Sequence, residues 1–347
     1  MKISSVAAGL PSRHVTNDDI LGKIEQHSSA TFDGDLDNAL RKVDYYLRFA
    51  GSESRRWLDT GEKPIDLLRS AAKSALAQAE LTPEDVDLLI YTGIGRGFIE
   101  PGGAYHSAAA IGCDNAHCFD IIDACMSWIR AVEVAESLFR TGRFRSALIV
   151  NAEFSLREGG SVFPHLYTLP NEAALESMFP AYTLGEAASA TVLTADGDAN
   201  WKFAFKSRPD LAHLCNVTLD GYEGFCDPSE KLAKNGVGHF TSYGFDMHTQ
   251  GAPESRAVMD RLDVDKDSVA ALFTHSSSKR FWQDMADRVD LGDKIHHVYQ
   301  ETGNIVSASV PTAIASAIEQ GKLERGQTGV GWVGSAGMSF GAFSFEL

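Results

Sequence analysis

Three side chains spread over a 347-residue chain have the types that thiol chemistry needs: Cys125, His275 and Asn304. Cys125 lies in Phe119-Asp120-Ile121-Ile122-Asp123-Ala124-Cys125-Met126-Ser127-Trp128. There an apolar strand ends in a sharp turn and a helix begins. The helix carries its apolar face on Trp128, Ala131, Val132, Ala135, Leu138 and Phe139, and Gly142 marks its stop. A thiol at a helix N-terminus meets the positive end of the helix dipole, which favours the nucleophilic thiolate. A single cysteine is more often a buried structural one. Chemistry at Cys125 therefore depends on what the rest of the chain brings to it.

The elements that position these groups read as two copies of one pattern. A helix over 64–79, an acidic turn at 81–85 and a strand over 86–91 lead to Thr92. A helix over 253–262, an acidic turn (Asp263, Asp265, Asp267) and a strand over 269–273 lead to Thr274-His275. Later, residues 298–304 read as a strand and turn that open a helix through Ala308, Pro311, Ile314, Ala315 and Ile318. Gly142 follows Cys125 by 17 residues, and Gly321 follows Asn304 by 17. Cys125 and Asn304 thus hold the same place in two strand–turn–helix–glycine–strand units. The division falls near Asp196-Gly197-Asp198, giving halves 1–196 and 197–347. Two such α/β halves bring two helix N-termini towards one centre. A cysteine from one half, with histidine and asparagine from matching edges of the other, is a constellation for acyl transfer through a thiol.

On these residues the chain resembles the ketoacyl-ACP synthase III branch of the thiolase-like superfamily over nearly its full length. The matching pieces are Phe119-Asp120 through Ala124-Cys125, Thr274-His275 with Arg280 five residues on, Thr302-Gly303-Asn304 with Ser307-Ala308-Ser309-Val310-Pro311, and Gly337-Met338-Ser339-Phe340-Gly341. The ordered set is specific; no single piece is. The resemblance implies an α/β fold in five layers, α/β/α/β/α, from two duplicated halves in a homodimer. It implies that Cys125 takes an acyl group from acyl-CoA or acyl-ACP. His275 and Asn304 would then steady the oxygen of a malonyl-type thioester as CO₂ leaves. Backbone N–H groups of Cys125 and of Ala336 or Gly337 would form an oxyanion hole. Arg280, with Lys279, matches the place where family members meet acyl carrier protein. No metal and no redox cofactor is implied.

The pattern departs from the family at several points. Asp123 and Met126 flank the cysteine where small residues are usual. Ser276-Ser277-Ser278 replaces Gln-Ala-Asn after the histidine. Thr183-Leu184-Gly185-Glu186-Ala187-Ala188 and Gly334-Ser335-Ala336-Gly337 carry fewer glycines than usual. Glu100, before Pro101, falls where an apolar residue crosses the dimer interface to close the acyl channel, which Met126 would also border. Either the primer is polar, branched or otherwise unusual, or Glu100 simply faces solvent. Together the departures point to a specialised pathway, such as secondary metabolism, rather than the first step of fatty acid biosynthesis.

The bulk properties narrow the class. With 31 Lys and Arg against 47 Asp and Glu the net charge is −16, which disfavours nucleic acid as a partner. A local basic spot at Lys279-Arg280 suits an acidic carrier instead. Five cysteines without a CxxC pair indicate neither a zinc site nor a disulfide framework. No run of about 18 apolar residues occurs, so no membrane span is expected and the cytoplasm is the default setting. Gly93-Ile94-Gly95-Arg96-Gly97 lacks a helix directly behind it, as a dinucleotide site would need. Gly334-Ser335-Ala336-Gly337 lacks the first glycine of a nucleophile elbow. The adjacent His296 and His297, read as strand residues, point to opposite faces and make poor joint ligands. Segment 157–182, with three prolines, reads as a long functional loop or lid, and 215–251 as loop-rich. Two other functions stay open: an acyltransferase that passes the Cys125-bound group to an alcohol or amine without elongation, and a non-catalytic partner subunit. Selective alkylation of Cys125 by iodoacetamide argues against the last.

Overall fold

The computed structural model describes residues 1–197 and 200–347. The first half opens with β1 (Lys2–Gly9) and β2 (Arg13–Thr16). Two helices follow, α1 (Asn17–Ser28) and α2 (Leu36–Ala50), then β3 (Ser54–Trp57) and α3 (Pro64–Gln78). The central run is β4 (Leu88–Thr92), α4 (Gly103–Ile111), β5 (His117–Asp120), α5 (Ser127–Phe139) and β6 (Ser146–Glu153). The one-turn α6 (Leu175–Met178) precedes β7 (Ala187–Thr194). The second half contains β8 (Lys202–Ser207), the short β9 (Cys215–Asn216) and β10 (Thr241–Ser242), and α7 (Gly244–Arg261). It ends with β11 (Val269–Thr274), α8 (Lys279–Asp287), the one-turn α9 (Tyr299–Thr302), α10 (Ser309–Glu319), β12 (Thr328–Ser335) and β13 (Ser339–Glu346).

Local chemistry sets several of these boundaries. Thr16 caps α1 through a reciprocal pair with Asp19: the Asp19 N–H donates to Thr16 Oγ1 at 3.2 Å, and the Thr16 N–H to Asp19 Oδ2 at 2.8 Å. α2 starts on the Asp35 side chain and ends at Gly51, whose φ of +78° few other residues tolerate. Strands β4 and β6 are buried along their whole length, as parallel strands covered on both faces must be.

The two main sheets run β1-β7-β6-β4-β5 and β11-β12-β13-β8. β4 lies parallel to β6, which is antiparallel to β7, which is antiparallel to β1. β11, β12, β13 and β8 repeat those senses in the same order. The second sheet has no full counterpart of β5; a single bridge, Leu272 to Ile295, stands in its place. Helices α5 and α10 fill the space between the sheets, packing Trp128, Val132, Val310 and Ile314 against Ile90 and Ile149 on one side and Phe273 and Phe343 on the other. α3 and α4 cover the outer face of the first sheet, and α7 and α8 that of the second. The layers are therefore α/β/α/β/α.

Three expectations need correcting. The strand over 298–304 is absent: Tyr299–Thr302 form one helical turn, which buries Tyr299 and Thr302, and Gly303 at φ +66° then turns the chain. His296 and His297 consequently do not alternate on a strand; His296 bonds Ser316 and Lys322, while His297 bonds Gln283. Segment 157–182 is not an open lid. Its Leu166, Tyr167, Leu169 and Tyr182 are fully buried against Ile20, Ile24, Val43 and Leu47 of α1 and α2. Finally, α7 begins nine residues before the expected 253, with Pro253 inside it. Its first turns leave Phe245 exposed among polar residues and so show no apolar period. Of the expected half-way boundary, Asp198 lies outside the described residues.

Candidate active site

Cys125 sits on the turn between β5 and α5. The preceding Ala124 is held at φ +46°, a strained conformation for a residue with a Cβ. The Met126 N–H, directly after the thiol, donates to Asp123 O at 2.9 Å and to Ser335 Oγ at 3.2 Å. Asp123 explains its own presence: Arg130 pairs with it at 3.1 Å, and Ser335 Oγ donates to its carbonyl at 3.1 Å. The turn from the first half is thus fastened to the end of β12 in the second. The Ser335 hydroxyl and the Ala336 N–H also reach the Cys125 sulfur itself. Asp120, at the end of β5, accepts from the first N–H groups of α4 (Gly103, 2.8 Å; Ala104, 2.9 Å) and pairs with Arg96.

The thiol is not the dipole-stabilised thiolate expected from the sequence. Helix α5 starts at Ser127 with Met126 as its cap, so Cys125 stands one residue outside. Burial pushes the Cys125 thiol well up, and the neighbouring Cys215 thiol and Glu153 carboxylate add to this. The Ser335 and Ala336 bonds act the other way but are the weaker influences. Cys125 rests protonated. Cys215, from β9, is also pushed up by burial, to about 11.

His275 follows β11 directly and is 5% exposed. Burial pushes it down to about 3, the nearby His248 works in the same direction, and the Val306 carbonyl opposes both. It is therefore a neutral imidazole with a single ring N–H. Ser309 Oγ lies 3.4 Å from its Nδ1 and donates to the Val306 carbonyl at 2.7 Å. Asn304 is fixed by its backbone: its N–H donates to Thr183 O at 2.8 Å, and its carbonyl accepts from Gly185 at 3.0 Å. The Val306 N–H donates to Asn304 Oδ1 at 3.0 Å. An oxygen held this way leaves the amide Nδ2 turned out as a donor. Val306 itself is at φ +49°, unusual for a β-branched residue. One strained residue therefore serves two side chains, with its N–H on Asn304 and its carbonyl facing His275.

The other expected residues fall as follows. Gly337, at φ +116°, sits in the turn between β12 and β13 next to Ala336. Met126 is fully buried; a Cβ on Gly341 would come within 2.9 Å of its sulfur. Glu100 is exposed on the loop over 93–102. Lys279 and Arg280 open α8, and the Arg280 guanidinium lies 4.2 Å from the Phe49 ring centre of α2. The sequence reading missed Ser335, Val306, Ser309, His248 and Cys215. His248 stacks on Phe281 at 4.2 Å and lies 3.5 Å from Ser277 Oγ. Its segment lacks any motif, and only the fold brings it near His275.

Turns of the two duplicated α/β halves thus hold a thiol, a neutral imidazole and an amide whose oxygen is already bonded. Residues 259–347 match the family described as 3-oxoacyl-acyl-carrier-protein (ACP) synthase III C terminal. The chain is 26% identical over 328 residues to beta-ketoacyl-acyl-carrier-protein synthase III of Clostridium perfringens, covering 90% of this chain and 93% of that one. It is 24% identical over 317 residues to the enzyme of the same name from Aquifex aeolicus, covering 89% and 92%. Its fold is similar to that of OleA from Xanthomonas campestris, solved with bound lauric acid and lauroyl-CoA (TM-score 0.84, 20% identity, 100% and 98% covered). It is likewise similar to the crystal structure of the Aquifex aeolicus synthase III (TM-score 0.77, 21% identity, 100% and 99% covered). The chain is thus similar to ketoacyl-ACP synthase III enzymes over about nine-tenths of its length, and it shares the fold of OleA and of the Aquifex aeolicus synthase.

Proposed function

We propose that the chain is a decarboxylating 3-oxoacyl synthase that works through an acyl-Cys125 intermediate. Residues 1–196 supply the nucleophile, and residues 197–347 the histidine and asparagine. In the first half-reaction Cys125 sulfur attacks the thioester carbon of an acyl-CoA or acyl-ACP. The thiol proton ends on the departing carrier thiolate. The Cys125 and Ala336 or Gly337 N–H groups face the tetrahedral oxyanion. In the second half-reaction the bond from the malonyl α-carbon to its carboxylate breaks and CO₂ leaves. The electron pair moves towards the thioester oxygen, which Asn304 Nδ2–H and the His275 ring N–H hold. The carbanion then attacks the acyl carbon, the carbon–sulfur bond to Cys125 breaks, and the thiolate takes up one proton from solvent. Atoms and charges balance without a metal or a redox cofactor.

The observation that carries this reading is the strained Val306, whose N–H bonds the Asn304 amide oxygen and whose carbonyl faces the neutral His275 imidazole from β11. A simple transfer to a hydroxyl needs a base but not two donors on one oxygen. We place acyl carrier protein at the Arg280 face and expect a homodimer in the cytoplasm. An acyl-CoA is the first primer to try, since OleA has been solved with lauroyl-CoA. A specialised, secondary-metabolite pathway is part of the proposal and rests on the departures around Cys125 and His275. The test is Asn304→Ala. Acyl loading of Cys125 should survive while malonyl-dependent CO₂ release falls about 100-fold or more. Equal loss of both half-reactions would contradict the assignment.

A further inference from the structure

We infer that Glu153 is a positioning residue of this site: its carboxylate clamps the loop carrying Asn304 onto the turn after β4, and so fixes the Val306 peptide against which His275 and Asn304 are set. The inference rests on the functional reading above. Glu153 ends β6 and is 1% exposed. Its Oε2 accepts the N–H groups of Ile94 at 2.9 Å and Gly95 at 3.0 Å. Its Oε1 accepts the Ser307 N–H at 3.3 Å and the Ser307 hydroxyl. Asn151, also on β6, donates to Ser307 Oγ at 3.2 Å and accepts from Ser189 at 3.0 Å. A continuous polar chain thus crosses the interior from β7 to the turn after β4.

No ion pair reaches Glu153 among the described residues. Three of its four donors are backbone N–H groups, which can only donate, so both oxygens must accept. Burial pushes the carboxyl up, while the bonds from Ser307, Gly95 and Ile94 pull it down. An unpaired carboxylate is expensive to bury, and here its bonds all end on the site's own scaffolding. Ser307 adjoins Val306, the residue that bonds Asn304 and faces His275. Glu153 from β6 and Cys215 from β9 both push the Cys125 thiol up, and Glu153 pushes the Tyr91 phenol of β4 up as well.

The test uses Glu153→Gln and Ser307→Ala in the whole chain. Glu153→Gln keeps the shape and removes the charge. Cys125 alkylation by iodoacetamide at a fixed alkaline pH, read by peptide mass, should rise about fivefold or more as the thiol's pKa falls. In the same variant kcat for condensation should fall about 10- to 100-fold with the primer KM little changed. Ser307→Ala keeps the carboxylate and should lower kcat without moving the alkylation profile. An unchanged kcat in either folded variant, or an unshifted profile in Glu153→Gln, overturns the inference. The alkylation arm needs no substrate, so it is read even where condensation itself fails.

Discussion

His248, His296 and His297 are pushed down by burial to about 4, and His275 to about 3, against an ordinary 6.5. The unfolded chain binds protons at these positions near pH 6.5, the folded chain only near 3 to 4. Their stabilising contribution is therefore complete above pH 6.5 and is lost as pH falls towards 4. Buried Glu153 and Glu186 are raised by burial and act in the opposite sense. On the alkaline side Cys125 is raised, as are Cys113 and Cys215, to about 12 and about 11, from 9.0. Those protons favour the folded state below pH 9 and stop doing so as pH rises through the folded values. Tm should therefore plateau between about pH 7 and 8.5 and fall on both sides, in a melting series from pH 4 to 10. A flat Tm from pH 7.5 to 5 would contradict the burial of these histidines. Cys125 and His275 were singled out because each follows a strand, and Asn304 on an expected strand that is a helical turn instead. The resting protonation of Cys125 was not legible: it depends on desolvation and on groups as distant in sequence as Cys215, Ser335 and Ala336, which no local spacing encodes.

At the scale of elements, the turn over 183–185 and the turn over 303–306 hold each other. A Cβ on Gly185 would lie 1.9 Å from Thr302 O, and one on Gly303, at φ +66°, 2.4 Å from Thr183 O. Gly303→Ala should cost about 3 kcal/mol in a denaturant titration and abolish condensation by displacing Asn304. A variant with wild-type stability would show that the close approach is unimportant. Periodicity revealed α3, α5, α10, β4, β6 and β11, because each has one continuous apolar face or a fully buried run. It failed for segment 157–182, which becomes core only by folding over α1 and α2. It failed also for the start of α7, where Gly251 runs against the Phe340 ring and Pro253 imitates a break.

For the whole molecule, the 17-residue spacing pointed to a repeat, and the matching strand order of the two sheets carries the same relation in space. The repeat is incomplete at one place. β5 stands at the edge of the first sheet, while its counterpart shrinks to one bridge. Beside that open edge Phe98, Ile99, Tyr105 and Ile122 are exposed, by 50%, 77%, 57% and 52%. An unpaired edge bordered by such residues suits a second copy of the chain. Sedimentation should give a dimer, and Ile122→Asp should shift it towards monomer; a monomeric wild type would refute that partner. The central claim is the acyl-Cys125 intermediate and its discharge by a malonyl thioester. It is tested most directly by intact-mass spectrometry with a panel of acyl-CoAs, followed by a chase with malonyl-CoA or malonyl-ACP. The account predicts a mass increase at Cys125 that the chase removes, releasing CO₂ and a 3-oxoacyl thioester. A stable adduct that malonyl donors cannot discharge, or no adduct with any acyl-CoA or acyl-ACP, would contradict it.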